Sequence, residues 1–160
     1  MTAERRDVAQ LFRAYGPLIY RRALRLLDDE ALAEEALQDV FVRVIRAIDR
    51  YDDNQQALNW LYRITTNHCL NVIRGRKRRR AAMKAYTEAP RRTAARAVDL
   101  TTMRGLLSDA DPQLALAAIY VHLDGMSYSE AAVHLEVSKR TVGNLIDRFN
   151  TWAQRRLEAT

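Results

Sequence analysis

The sequence predicts an all-α protein of two small helical domains joined by a basic linker. Three observations carry that expectation. Only five Gly and three Pro occur among 160 residues, which favours long helices over hairpins built on tight turns. Apolar residues recur at steps of three and four, the period of a helix with one buried face. Positive charge is concentrated in one stretch. Residues 74–104 hold eleven Arg or Lys against two acids, Glu88 and Asp99, a net of +9 within a total of +6. Residues 1–73 come to −1 and residues 106–160 to −2, so two near-neutral modules flank a cationic centre. The expected division is a helical module at 1–80, a linker at 81–105 and a second module at 106–160.

With 48% hydrophobic residues the chain can bury a core, and its length allows one ordinary domain or two small ones. Cys69 is the only cysteine, so neither an intramolecular disulfide nor the paired cysteines of a zinc ribbon can form. No apolar run approaches the roughly 20 residues that span a bilayer. The stretch MTAERRDVAQLF lacks the apolar core of a signal peptide. A cytoplasmic location without membrane insertion is the expectation.

Four helical stretches are expected before the linker. Residues 4–15 carry Val8, Leu11, Phe12 and Tyr15; residues 17–27 carry Leu18, Ile19, Ala23, Leu26 and Leu27. Gly16-Pro17 separates them, because proline ends one helix and is tolerated in the first turn of the next. Asp28-Asp29 then starts a helix over 30–48, as the helix macrodipole favours. There Leu37, Val40, Phe41, Val44, Ile45 and Ile48 mark one buried stripe. Glu34, Glu35, Gln38, Asp39, Val42 and Arg46 lie opposite. A lone exposed Val needs no explanation, but among acids it also fits a partner surface.

After the polar loop DRYDDNQQ, a fourth helix runs from about Ala57 into the basic tract. Leu58, Leu61, Thr65 and Val72 should face inward. Arg63, Asn67, Asn71 and Arg74 step by four, four and three along another face. Amides and guanidinium groups in a row suit bases and phosphates, though an ordinary polar stripe looks the same. The basic tract is likewise either a solvated linker or a path for a phosphate backbone or a polymerase channel.

Beyond the linker, a short turn at 106–109 and helices at 112–124, 127–135 and 139–157 are expected. Ser127 and Glu130 form a capping box, Ala131 and Ala132 allow close helix approach, and Ser138 caps the last helix. Val142, Leu145 and Ile146 anchor that helix from within. Its early exposed positions are Lys139, Arg140, Gly143, Asn144, Asp147 and Arg148. This pattern is a helix-turn-helix, whose second helix enters the major groove by its N-terminal end.

The whole chain resembles a bacterial sigma factor of the extracytoplasmic-function type. Ala33-Glu-Glu-Ala-Leu-Gln-Asp-Val-Phe-Val-Arg-Val is similar to that family's second conserved block. Trp60-Leu-Tyr-Arg-Ile-Thr-Thr-Asn with Asn71-Val-Ile-Arg resembles the next. Leu123-Asp-Gly-Met-Ser-Tyr-Ser-Glu-Ala-Ala with Ser138-Lys-Arg-Thr-Val resembles the C-terminal one. The resemblance implies a subunit that binds core RNA polymerase, through the clamp helices of its largest subunit and its beta flap. It implies recognition of promoter DNA at −35 and −10 elements, melting of the −10 region, and control by an anti-sigma factor.

By position, Glu35, Gln38, Asp39, Val42 and Arg46 would meet polymerase. Tyr51 and Asn67 would hold a flipped −10 base, with Arg63, Asn71 and Arg74 beside them. Lys139, Arg140, Thr141, Asn144 and Arg148 would meet the −35 element. The chain departs from the family pattern at Glu35 for Asp, Ile45 for Trp, and Glu136 for the Gly of the turn. Gly143 and Asp147 also weaken the expected DNA face.

Nothing in the sequence points to an enzyme. His68, His122 and His134 fall on separate helices without clustered carboxylate or thiol ligands, and no phosphate-cradling glycine loop occurs. Cys69 lies in an apolar-periodic helix and reads as a small buried hydrophobe. No cofactor or metal is expected. Two other readings stay open: a stand-alone helix-turn-helix regulator, and a degenerate sigma-like chain that binds polymerase without melting DNA.

Overall fold

The computed structural model describes residues 8–48, 57–84 and 100–159. Every described element is helical: α1 Val8–Leu27, α2 Glu30–Ala47, α3 Ala57–Lys84, α4 Leu100–Asp109, α5 Pro112–Ala118, α6 Tyr128–Leu135 and α7 Lys139–Glu158. The chain divides into two compact units, residues 1–72 and 73–160, so the division falls inside α3. No helix among the described residues is long and apolar enough to cross a membrane.

In the first unit, α1 is one helix and not the expected two, because Pro17 lies inside it. An interior proline costs about 3 kcal/mol in a helix. Both halves nonetheless bury one continuous stripe, Val8, Leu11 and Tyr15 before the proline and Ile19, Ala23, Leu26 and Leu27 after it. Each large apolar side chain buried there contributes about 1.5–3 kcal/mol, so packing overrides the local break. Pro17 itself is on the exposed side, where the carbonyl that loses its partner can turn to water.

A two-residue turn joins α1 to α2. Asp28 takes the left-handed conformation (φ 52°) and its N–H bonds the Leu24 carbonyl at 2.8 Å. Asp29 caps α2, its Oδ1 accepting from the Leu32 N–H at 3.0 Å. Along α2, Ala33, Ala36, Val40, Phe41 and Val44 are buried. Phe12 meets Phe41 edge to face, with centroids 4.9 Å apart. Ile45 breaks the expected stripe: it is 58% exposed. At 100° per residue it lies about 20° from Gln38, about 40° from Phe41 and about 60° from Val42, at the margin between the buried and the exposed arc. Leu58 of α3, also expected inside, is exposed, whereas Leu61 and Thr65 are fully buried and Trp60 packs against the core.

Arg22 is buried between α1 and α3. Its Nε and Nη2 donate to Thr66 Oγ1 at 3.0 and 2.8 Å, and its guanidinium stacks over the Tyr62 ring at 4.4 Å. Cys69 is completely buried, which pushes its thiol pKa up to about 12, so it behaves as the inert hydrophobe the sequence suggests.

In the second unit, α4 begins within the expected linker and is a full helix, not the short turn read at 106–109. The linker is shortened at its other end too, since residues 81–84 continue α3. Asp111 caps α5 by accepting from the Gln113 N–H at 3.0 Å, with Pro112 in the first turn. α5 continues as a π-helical turn over Ile119–Leu123, with the Asp124 N–H bonding the Ile119 carbonyl five residues back at 3.0 Å. Gly125 (φ 67°) then reverses the chain. The core unites Leu107, Ala115, Ile119, Tyr120, Ala131, Val142, Ile146 and Phe149. The C-terminal part of α3 joins this unit: Arg74 Nη2 donates to the Ala110 carbonyl at 2.7 Å, and Asp109 pairs with both Lys77 and Arg156.

His68 provides a test of the first unit. It is 8% exposed, its Nδ1 meets no hydrogen-bond partner among the described residues, and its Nε2 is 3.7 Å from Asp39 Oδ2. Burial, followed by the charge of Arg43, holds its pKa below the ordinary 6.5, against the pull of Asp39 and Glu35. The unfolded chain therefore takes up this proton first as pH falls, and the stabilisation is complete above pH 6.5. Thermal unfolding between pH 7.5 and 5 should show stability falling below pH 6.5, with a shallower fall in His68→Gln.

Candidate nucleic-acid interface

The helix-turn-helix is built from its caps. Ser127 Oγ accepts from the Glu130 N–H at 3.1 Å and starts α6. Glu136 ends it in the left-handed conformation (φ 56°, ψ 40°). The Val137 N–H bonds the Ala132 carbonyl at 3.1 Å and the Glu136 N–H reaches the Val133 carbonyl at 3.3 Å, the paired bonds of a Schellman motif. Ser138 Oγ accepts from the Thr141 N–H at 3.1 Å and starts α7. Ala131 and Ala132 are buried, so α6 and α7 approach closely, and Val142, Leu145, Ile146, Phe149 and Ala153 form the inner face of α7.

That inner face fixes the outer one. Lys139, Arg140, Asn144, Asp147 and Arg148 are exposed together near the start of α7. Thr141 is half-buried, and its Oγ1 lies 2.9 Å from Ser138 Oγ, so its hydroxyl serves the cap. Gly143 lies under the Tyr128 ring: a Cβ there would meet it at 3.6 Å, an ordinary contact.

In the first unit, the α3 row is also displayed. Asn67 and Asn71 are exposed and Arg63 is half-buried. Arg74, the last residue of the expected row, belongs to the second unit, where it is half-buried and spends its Nη2 on the Ala110 carbonyl. Tyr51, the proposed aromatic of this site, lies outside the described residues.

A third surface lies on α2. Glu35, Gln38, Asp39, Val42 and Arg46 are all exposed on it. Val42 (45% exposed) and Ile45 (58%) form an apolar pair ringed by these charged and amide groups. Ile45 is the residue that sequence reasoning missed. Its step of three from Val42 and seven from Gln38 was the available signal, masked by its equal fit to the edge of the apolar stripe. Among the described residues, no group of three His, Cys, Asp or Glu is placed to hold a metal ion.

Residues 11–79 match the sigma-70 region 2 family, and residues 109–159 match a homeodomain-like domain family. The chain is 30% identical over 150 residues to the ECF RNA polymerase sigma factor SigE of Mycolicibacterium smegmatis. That alignment covers 87% of this chain and 57% of the relative, so the chain spans little more than half of SigE. Among solved structures, CnrH in complex with the cytosolic domain of CnrY matches with a TM-score of 0.60 and 24% identity, over 99% of this chain and 92% of CnrH. The sigma factor RpoE in complex with the anti-sigma factor NepR from Bartonella quintana matches with a TM-score of 0.55 and 21% identity, over 95% and 97% of the two chains. At those identities the two structures speak for the fold.

The turn itself can be tested by stability. A non-glycine residue in the left-handed region costs about 1 kcal/mol, so Glu136→Gly should raise the unfolding free energy by about that amount. Gly143→Ala should add about 1 kcal/mol of helix propensity, since its Cβ finds room against Tyr128. Urea unfolding should show both as a higher midpoint at unchanged slope.

Proposed function

We propose that the chain is a member of the extracytoplasmic-function sigma factors and an initiation subunit of bacterial RNA polymerase. It binds the core enzyme, recognises −35 and −10 promoter elements, opens the −10 region and starts transcription of a specific set of genes. The chemistry of RNA synthesis belongs to the polymerase. The observation that carries this reading is the order of modules in one chain: a sigma region 2 match over 11–79 followed by a capped helix-turn-helix.

Each surface takes one task. The α2 face, Glu35, Gln38, Asp39, Val42 and Arg46 with Ile45 added, docks on the clamp helices of the largest polymerase subunit. An apolar centre inside a polar rim is the usual anatomy of such an interface. Tyr51, Arg63, Asn67, Asn71 and Arg74 take the melted −10 strand, where extruding a base costs a few kcal/mol and stacking with edge hydrogen bonds recovers it. Lys139, Arg140, Asn144 and Arg148 meet the −35 duplex, and Thr141 holds the cap from which they project. The first module serves polymerase and −10 binding and the second −35 and beta-flap binding, in the cytoplasm, with the joining segment confined between the end of α3 at Lys84 and the start of α4 at Leu100. RpoE of Bartonella quintana, similar in fold, is bound by the anti-sigma factor NepR, and a partner of that kind holds this chain inactive.

Transcription in vitro with core polymerase and a genomic fragment library is the deciding experiment. Specific initiation should depend on the added chain, and permanganate should mark −10 thymines. Initiation from no fragment would overturn the proposal. Core binding without permanganate reactivity would mark a degenerate sigma-like protein, and tight promoter binding without polymerase a stand-alone regulator. Ile45→Asp should weaken core binding roughly tenfold or more while leaving the thermal midpoint near that of the parent, because Ile45 is exposed.

A further inference from the structure

We propose that His68, which no surface above includes, is a positioning residue for polymerase docking: lying beneath α2, it controls whether the Asp39 carboxylate is available to a partner. The inference deepens the function proposed above and rests on it.

His68 comes from α3 and its side chain is 10% exposed, whereas the Asp39 side chain beside it is 50% exposed. A buried ring therefore reaches the docking face from below. The 3.7 Å between His68 Nε2 and Asp39 Oδ2 is longer than a hydrogen bond, so a neutral ring leaves the carboxylate able to turn outward. A protonated ring makes the same approach an ion pair. Nδ1 is buried and meets no hydrogen-bond partner among the described residues. The second N–H of an imidazolium is thus uncompensated there, and the charge leans on Asp39.

The surroundings set the sign. On α2, Glu35, Asp39 and Arg43 follow at steps of four, about 6 Å apart along one ridge, and all three are exposed. Asp39 and Glu35 attract a proton to His68; burial and Arg43 oppose it. From α1, the charged group buried against α3 is Arg22, whose guanidinium is taken by Thr66 and Tyr62. Acid therefore places a positive charge beneath two of the docking acids, and does so below pH 6.5. A polymerase group that claims Asp39 is a cation or a hydrogen-bond donor, and it competes with protonated His68. Linkage makes the effect reciprocal, so docked polymerase drives the proton off the ring.

The test is binding of the labelled full-length chain to core polymerase at pH 7.5, 6.5 and 5.5, at constant ionic strength and below the thermal midpoint of each variant. Across that range the parent's affinity should fall roughly three- to fivefold more than that of His68→Gln, the scale of one partly exposed charge pair. Asp39→Asn should bind core more weakly at pH 7.5 and lose the extra fall. In the free chain, with no polymerase, the imidazole proton resonance of His68 should titrate with a midpoint below 6.5 that moves lower in Asp39→Asn. The midpoints of His122 and His134 should stay in place. An unmoved His68 midpoint, or an equal loss of affinity in the parent and His68→Gln, would overturn the inference. Should His68→Gln not fold, the exposed Asp39→Asn decides: a fall equal to the parent's overturns it. A chain that shows the resonance shift but binds core at no pH refutes the polymerase role and this inference with it. A chain that binds core with a pH profile indifferent to both substitutions refutes this inference alone.

Discussion

The working faces of the first unit depend on how α3 is rotated, and Arg22 fixes that rotation. A helix with Leu61, Thr65, Cys69 and Ile73 on its inner side could turn by several tens of degrees and still bury a mostly apolar stripe. The forked contact of Arg22 with Thr66 Oγ1, and its stacking on Tyr62, removes that freedom. A charged group at 7% exposure is costly to bury unless its donors are met, so these partners are not interchangeable with solvent. Thr66 is itself anchored, its hydroxyl donating to the Tyr62 carbonyl at 2.7 Å. With Tyr62 and Thr66 held toward α1, the arc that carries Arg63, Asn67 and Asn71 is the one left to solvent.

The second unit reaches a similar end by caps. Ser127, the left-handed Glu136 and Ser138 set where α6 stops and α7 begins, and the small Ala131 and Ala132 set how closely they pack. These are short-range features written as single residues, and the serine caps and paired alanines were legible in the sequence; the left-handed conformation of Glu136 was not. Also legible were the inert Cys69 and the Asp28-Asp29 turn, because each depends on chemistry within a few residues or on plain apolar periodicity.

What was not legible depends on competition between terms. Gly16-Pro17 is a strong local stop, and only the shared core of Ile19, Leu11 and Tyr15 tells that the helix passes through it. Ile45 and Leu58 sit at the margin of an apolar arc, where type alone does not separate the edge of a core from an exposed apolar residue; burial elsewhere in the bundle decides. The ends of the basic tract misled for a related reason. Arg and Lys are good helix formers, so a run of them can extend α3 by a turn past its expected end, while their charge reads as linker composition. At the candidate site, the residue types of α2, α3 and α7 were readable. The extra partners were not: Thr141 is committed to Ser138, and Arg74 to the Ala110 carbonyl.

These commitments bear on how a module with so little positive charge meets DNA. Residues 106–160 carry a net −2, and Asp147 stands among the exposed positions of α7. Nonspecific attraction to DNA grows with the number of cations presented, so this helix-turn-helix contributes little of it. The net +9 lies instead in residues 74–104, whose first part is helical on α3. Under the proposed function, sequence discrimination and electrostatic affinity fall to different parts of the chain. A helix-turn-helix of this kind has no need of strong binding by itself, because a reader delivered to its site by polymerase requires only that the right bases cost less than the wrong ones. Under the proposed function, low charge on α7 would let a weakly held module reject mismatched −35 sequences without being retained by their phosphates.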